Sequence, residues 1–213
     1  MPDFYSFFYR SRHHSMAVLW LWAVAPATMA QAQMPGNDAT WKELAQEPVH
    51  VECTDFNGKP WCRSRGLVMA PMASVSEALK QMRHNSDMFE NVISVAIISS
   101  DVLHVVLDYP PPLDDRDYVA KYTFTDAGDT HTYSWVPAPE ANVPNVEGVV
   151  RLPNYAGEWR LESQGEATWV RYTWQAEING SFPSFAYSTA WKKAGHEALK
   201  DLANTQKAEL RTE

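Results

Sequence analysis

The chain has 213 residues, with 18 Lys and Arg against 26 Asp and Glu, a net charge of −8, and 45% hydrophobic residues. This acidic balance, without a basic run, argues against nucleic acid as a partner and against strong electrostatic docking on anionic membranes. Catalytic signatures are thin as well: the chain carries no G-x-S-x-G elbow, no H-E-x-x-H pair and no phosphate-cradling glycine loop.

The first element is not part of a fold. Arg10, Arg12, His13 and His14 precede an apolar run over 16–25, and Ala30-Gln31-Ala32 then offers an A-x-A cleavage site, with Thr28-x-Ala30 as a fallback. That is the anatomy of a secretory signal peptide, and the apolar run is too short for a bilayer crossing. Residues 1–32 are therefore expected to be removed on export to a periplasmic or extracellular space. Residues 33–213 remain as a single domain with a core over about 40–206.

Residues 39–46, with Trp41 and Leu44 on one side, predict a short helix. Next come two strands, 49–55 and 61–70, flanking Asn57-Gly58, the residue pair favoured in a type I′ hairpin turn. A two-residue loop centred on that pair sets Cys53 opposite Cys62 and Glu52 opposite Arg63. Pro60 then falls where no amide is owed to the partner strand. Alternation makes 53/62 a non-hydrogen-bonded pair, whose Cα atoms approach within disulfide range. An exported protein meets an oxidising compartment, so a Cys53–Cys62 bridge is expected. Two cysteines alone do not complete a tetrahedral metal shell, so no metal is expected.

Residues 74–81 predict a helix, with Val75, Ala78 and Leu79 at helical spacing and Ser74 and Glu77 as a capping box. Residues 83–91 suggest a second. Strands follow at 92–99, 102–109, 118–125, 130–136, 148–151, 157–163 and 168–178. In the third of these, Tyr118, Ala120, Tyr122 and Phe124 share a face, and in the last Thr168, Val170, Tyr172 and Trp174 do. The final element is a long amphipathic helix entered through Ser181-Phe182-Pro183 and running to about Gln206, with Tyr187, Trp191, Ala194, Ala198 and Leu202 at helical spacing. A sheet must cover its apolar face, and this helix is the natural cover. The expected fold class is α+β.

The step between the second and third of those strands, Pro112-Leu113-Asp114-Asp115-Arg116-Asp117-Tyr118-Val119, resembles the Pro-x-x-Arg-Asp-Phe-Val signature of START domains, the steroidogenic-acute-regulatory-related lipid-transfer family. Gly148-Val149-Val150-Arg151 followed by Gly157-x-Trp159-x-Leu161 is similar to the family's Gly-x-x-Arg strand pair. Glu177-Ile178-Asn179-Gly180-Ser181-Phe182-Pro183 is similar to its Asp-x-x-Gly-x-x-Pro entry into the lid helix. The resemblance spans roughly 40–206. It implies a helix-grip fold, in which a curved antiparallel sheet wraps the last helix around an internal apolar cavity that holds one lipid. There are two departures. Met88-Phe89 stands where many members have tryptophan, and Tyr122 stands where sterol carriers place a cavity-facing arginine, which argues against a sterol-specific assignment.

On this reading the ligand-binding candidates are Tyr122, Phe124, Tyr133, Trp135, Tyr172, Trp174, Tyr187, Trp191 and Ala194. Aromatic residues on an inner sheet face line apolar pockets as readily as they fill cores. Arg116 and Arg151 either polarise a ligand or pair locally, Arg151 with Glu162. The last helix and the 137–147 loop would move to admit the ligand. The partner is a lipid or similar apolar small molecule, with transient membrane-surface contact and no nucleic acid, cofactor or metal. His50, His84, His104, His131 and His196 are scattered, and no catalytic residue is assigned. Two alternatives stand beside the carrier: a polyketide cyclase or aromatase-like enzyme using Arg116, Arg151, His104 or His131, and a ligand-dependent sensor or interaction module.

Overall fold

The hairpin forms in the expected register. Asn57 and Gly58 adopt positive φ, 54° and 70°, as a type I′ turn requires. Cys53 pairs with Cys62, Asp55 with Pro60 and Phe56 with Lys59. The Cys53–Cys62 disulfide is formed, with Cα atoms 4.0 Å apart. Arg63 Nε donates to Glu52 Oε1 at 2.6 Å across the same ladder. The computed structural model of the protein describes residues 34–84, 86–111 and 113–209. The expected signal peptide lies outside the described residues.

In chain order the elements are β1 (Lys42–Ala45), β2 (His50–Phe56), β3 (Lys59–Val68), α1 (Met72–Gln81), β4 (Val92–Ile97), β5 (Val102–Leu107), β6 (Asp115–Asp126), β7 (Thr130–Pro137), β8 (Val149–Arg151), β9 (Gly157–Gln164), β10 (Ala167–Gln175) and α2 (Tyr187–Glu209). The strands make one curved sheet in the order β1-β2-β3-β10-β9-β7-β6-β5-β4. Its pairings are antiparallel except that β8 lies parallel to the start of β6. α2 packs across β1, β2, β3 and β10, while α1 covers β9 and β10 and touches α2. This is the α+β helix-grip architecture.

Local departures from expectation have physical causes. Residues 42–45 form an edge strand on β2 rather than a helix. Eight residues carry too few hydrogen bonds to repay helix nucleation, and the open edge of β2 supplies a ladder instead. Among the described residues of 83–91, only a 3₁₀ turn, Ser86–Met88, forms in place of a second helix. The capping box is absent: α1 starts at Met72 behind Pro71 without a side-chain cap. Ser74 instead donates to Gln206 Oε1 of α2 at 2.6 Å, tying the two helices together.

Alternation along the strands stacks inner-face residues into rows. One row runs Tyr122, Trp135, Gly157, Trp174, Cys62, from β6 across to β3. The next runs Phe124, Tyr133, Trp159, Tyr172, Ser64. A Cβ on Gly157 would collide with the Thr173 carbonyl and the Trp135 ring. Its missing side chain is what lets that indole lie across β9. The core fills the concave side of the sheet under both helices, with Leu161, Val170, Leu199 and Leu202 among its buried members.

Candidate functional site

Between the inner face of β6, β7, β9 and β10 and the N-terminal half of α2 lies a cavity of about 450 Å³. Tyr118, Tyr122, Trp135, Trp159, Tyr172 and Trp174 form its sheet wall, and Ala186, Ala190, Trp191, Ala194 and Ala198 form its helix wall. Ala186 belongs to the 3₁₀ turn Ser184–Ala186 that leads into α2; within α2, Ala190, Ala194 and Ala198 recur every four residues, which keeps them on one helical face. Phe89, Leu107, Tyr109, Leu113 and Leu152 close the ends, and Tyr155 enters from the turn before β9. Charge is confined to the rim, where four carboxylates, Glu90, Asp108, Glu177 and Glu197, face one ammonium, Lys193.

The aromatic side chains rise off the sheet and stack on one another. Tyr172 lies between Trp159 and Trp174, at centroid distances of 4.2 and 4.7 Å. Phe89 caps Trp159 at 5.8 Å. Trp135 stacks on Tyr122, Tyr155 and Tyr172 at 5.9, 6.1 and 6.0 Å. The phenol tips then meet in pairs: Tyr118 and Tyr122 share a hydrogen bond of 3.1 Å, and Tyr155 and Tyr172 one of 3.0 Å. The Tyr118 and Tyr155 rings bring the two pairs together, 4.4 Å apart. Loss of hydration pushes the phenols of Tyr118, Tyr155 and Tyr172 well above the ordinary value of 10. It lifts Tyr122 to about 12, against the opposing hydrogen bond from Tyr118. All four are therefore neutral at physiological pH.

No protein-family model matches the chain. An uncharacterized protein of Pseudomonas aeruginosa is 31% identical over 170 residues, covering 76% of this chain and 84% of the relative. Among solved structures, a StAR-related lipid transfer protein from Xanthomonas axonopodis superposes with a TM-score of 0.66 at 23% identity, covering 78% of this chain and 97% of that one. Human StAR-related lipid transfer protein 5 gives 0.69 at 18% identity, covering 79% and 86%. The Zhui aromatase/cyclase of a Streptomyces species gives 0.50 at 16% identity, covering 72% and 95%. The chain belongs to one family with the Pseudomonas protein, and its fold is the START fold.

Within the START fold, Tyr122, Trp135, Tyr172, Trp174, Trp191 and Ala194 line the cavity. Trp191 also fixes the helix to the end of β10, its indole N–H donating to the Ala176 carbonyl at 2.9 Å. Five other candidates lie elsewhere. Phe124 and Tyr133 are on the inner face, but at the end of the sheet that α1 covers. The Tyr133 hydroxyl donates to the Ser76 carbonyl at 2.8 Å, and Phe124 packs on Tyr133 and under Lys80. Alternation gives the face of a strand residue but not which helix caps that stretch. Tyr187 spends its ring between Phe182 and Trp191 at the helix entry.

Both arginines are structural. Arg116 is buried and donates to the carbonyls of Ile178 and Asn179, at 3.3 and 3.0 Å, and of Asp114, with its guanidinium over the Tyr109 ring. It pins the corner that leads into α2. Arg151 pairs with Asp117 through Nε and Nη2, both at 2.8 Å, rather than with Glu162, which takes Arg160. His104 Nε2 lies 2.7 Å from the same Asp117 carboxylate. This cluster sits on the outer face of the sheet. There Arg151 also holds the carbonyls of Val143 and Pro144, and Val102, Val119, Ala138, Ala141 and Val143 pack together. The 137–147 loop is thus fastened away from the cavity and is not its lid. The segments at the rim are 89–92, 108–110 with Leu113, and the start of α2.

The site also contains residues that are not among the ligand-binding candidates named from the sequence. Tyr118 and Trp159 shared the periodic face of their strands and could have been chosen on that signal. Tyr155 sits in a turn and has no periodicity to betray it.

Proposed function

We propose that the protein is an exported carrier that holds one apolar small molecule in the cavity between the aromatic sheet wall and the alanine face of α2. The observation that carries this reading is the cavity itself: about 450 Å³, walled by rings and methyl groups, with charge only at the rim. Such volume falls in the range of small-molecule sites, roughly 300–1,000 Å³. It accommodates an acyl chain or a fused-ring skeleton. Shielding from water supplies the affinity, at about 25 cal/mol per Å² of apolar surface buried. Transfer follows if the loaded and empty protein both touch a bilayer surface. The Cys53–Cys62 bridge fits an oxidising, exported location.

The carrier reading is supported over an enzyme by where the candidate acids and bases lie. Arg116, Arg151, His104 and His131 are all outside the cavity wall and engaged with protein partners. Native mass spectrometry of the purified protein, followed by extraction, tests the proposal. One apolar molecule per chain is expected. Bare polypeptide mass that stays unchanged after exposure to total lipid extract and to aromatic polyketide-like probes would sink it. N-terminal sequencing of exported protein is expected to find Gln33 or Gln31.

A further inference from the structure

The polar spot inside the cavity is built only of neutral hydrogen-bonding groups. Within each hydroxyl pair one proton is shared, and the other belongs to the accepting phenol and has no partner among the described residues. Two pairs therefore leave two O–H groups to donate. Trp135 stacks on Tyr122, Tyr155 and Tyr172, and its indole N–H, in a side chain only 4% exposed, also lacks a partner among the described residues. The hydroxyls also keep lone pairs, but a buried donor left unmade is costly, so these three unpartnered donors are best met by an acceptor on whatever fills the cavity. We propose that the bound molecule carries an uncharged hydrogen-bond acceptor, a ketone or ester carbonyl oxygen, seated against the Tyr118–Tyr122 and Tyr155–Tyr172 hydroxyl pairs. This rests on the carrier reading and names the ligand chemistry of that same site.

Charge on the ligand is disfavoured from both signs. An anion would pass the four rim carboxylates and then be desolvated without a cation, since both nearby arginines face other partners. The raised phenol values report the same hostility to negative charge. A cation needs open ring faces. Beside the hydroxyl pairs Tyr172 is stacked between Trp159 and Trp174 and Tyr118 has Tyr155 against it, which leaves a cation few open faces at that spot.

The test is a matched series, 2-tridecanone, tridecane, dodecanoate and dodecyltrimethylammonium, titrated at pH 8 and read by emission of the cavity tryptophans. The ketone is expected to bind at least tenfold tighter than each of the other three. In Tyr118→Phe/Tyr122→Phe/Tyr155→Phe/Tyr172→Phe, which removes both hydroxyl pairs, the ketone's advantage over tridecane is expected to fall below about threefold while tridecane affinity stays within twofold. Dodecanoate or the ammonium binding as tightly as the ketone overturns the proposal, even if the fourfold variant fails to fold. So does a ketone advantage that survives in the variant. Equal binding of ketone and tridecane overturns this proposal and leaves the carrier reading standing. Failure of all four probes to bind overturns this inference; the carrier reading falls with it only if lipid extract and polyketide-like probes also leave the polypeptide mass unchanged.

Discussion

Ala194→Trp separates a roof over a cavity from a packed seam. Ala194 lies in the middle of the alanine face, between Ala190 and Ala198, and lines the cavity opposite the aromatic wall. An indole is larger than benzene, which a cavity of about 150 Å³ accepts, so one substitution occupies about a third of the roughly 450 Å³. If the space is a ligand chamber, the new ring fills it and the empty protein melts within a degree or two of wild type. Ligand is then excluded. Each ~100 Å² of apolar surface returned to water costs about 2.5 kcal/mol, close to 70-fold in affinity. If instead the seam is tightly packed in solution, the same substitution overpacks a core. That costs about 1–3 kcal/mol, or roughly 3–10 °C in Tm for a domain of this size, with uptake unaffected. Thermal melting of lipid-stripped protein and probe titration on the one variant give both readouts. Marked destabilisation with unchanged uptake would refute the reasoning.

Cys53→Ser opens a loop of sequence separation 9; on the chain-entropy estimate it costs about 2–3 kcal/mol, and ligand binding survives because the bridge lies outside the cavity wall. Two thiols that alkylate in unfolded, unreduced protein would show that the bridge does not form. Burial pushes the Asp117 carboxyl up, but hydrogen bonds from Arg151 and His104 outweigh that and hold it below its ordinary value of 3.8. Its contribution is present above that value and is lost as pH falls through the lower folded one, so Arg151→Met is expected to move the acid-unfolding midpoint to higher pH and to cost about 3 kcal/mol at neutral pH. An unmoved midpoint in circular dichroism would contradict the pairing. The tyrosine quartet has the opposite sign: folded phenols raised above 10, Tyr122 to about 12, stabilise the fold below pH 10, and that stability is lost as pH rises through the folded values. Phenolate absorbance should show these four ionising only as the protein unfolds. Hydrogen exchange is expected to be faster over 187–194 than over 199–206, because the second stretch carries the buried Leu199, Leu202 and Gln206; equal protection would remove the case for a mobile helix start.

What could be read before folding was whatever a local rule fixes. Asn57-Gly58 needs positive φ at two residues, and that turn dictates every pair from Phe56–Lys59 to Glu52–Arg63. Period-2 alternation gave the inner faces of β6 and β10, hence Tyr122, Tyr172 and Trp174. The misreadings at the site are tertiary. Whether Phe124 meets a chamber or α1 depends on where a helix distant in sequence lies. Whether Arg151 takes Glu162 or Asp117 depends on β8 pairing in parallel with β6, a contact no local pattern announces. The helix misread at 39–46 is the same failure in reverse, since the edge of β2 decided it.

The cavity exists because α2 obeys two packing rules at once. On one side glycine brings it close to the sheet: a Cβ on Gly195 would stand 3.0–3.1 Å from Trp174, Ser64 and Val51, and one on Gly66 would stand 3.0 Å from Leu199. On the other side Ala190, Ala194 and Ala198 face the broad aromatic rows with methyl groups alone. The close approach fixes the height of the helix axis above β2 and β3. Beyond them the sheet curves on, and the cavity lies between its rings and those methyl groups. Leucine at the alanine positions would close that gap, and a carrier of this design is therefore specified as much by the small residues on its roof as by the aromatic residues on its wall.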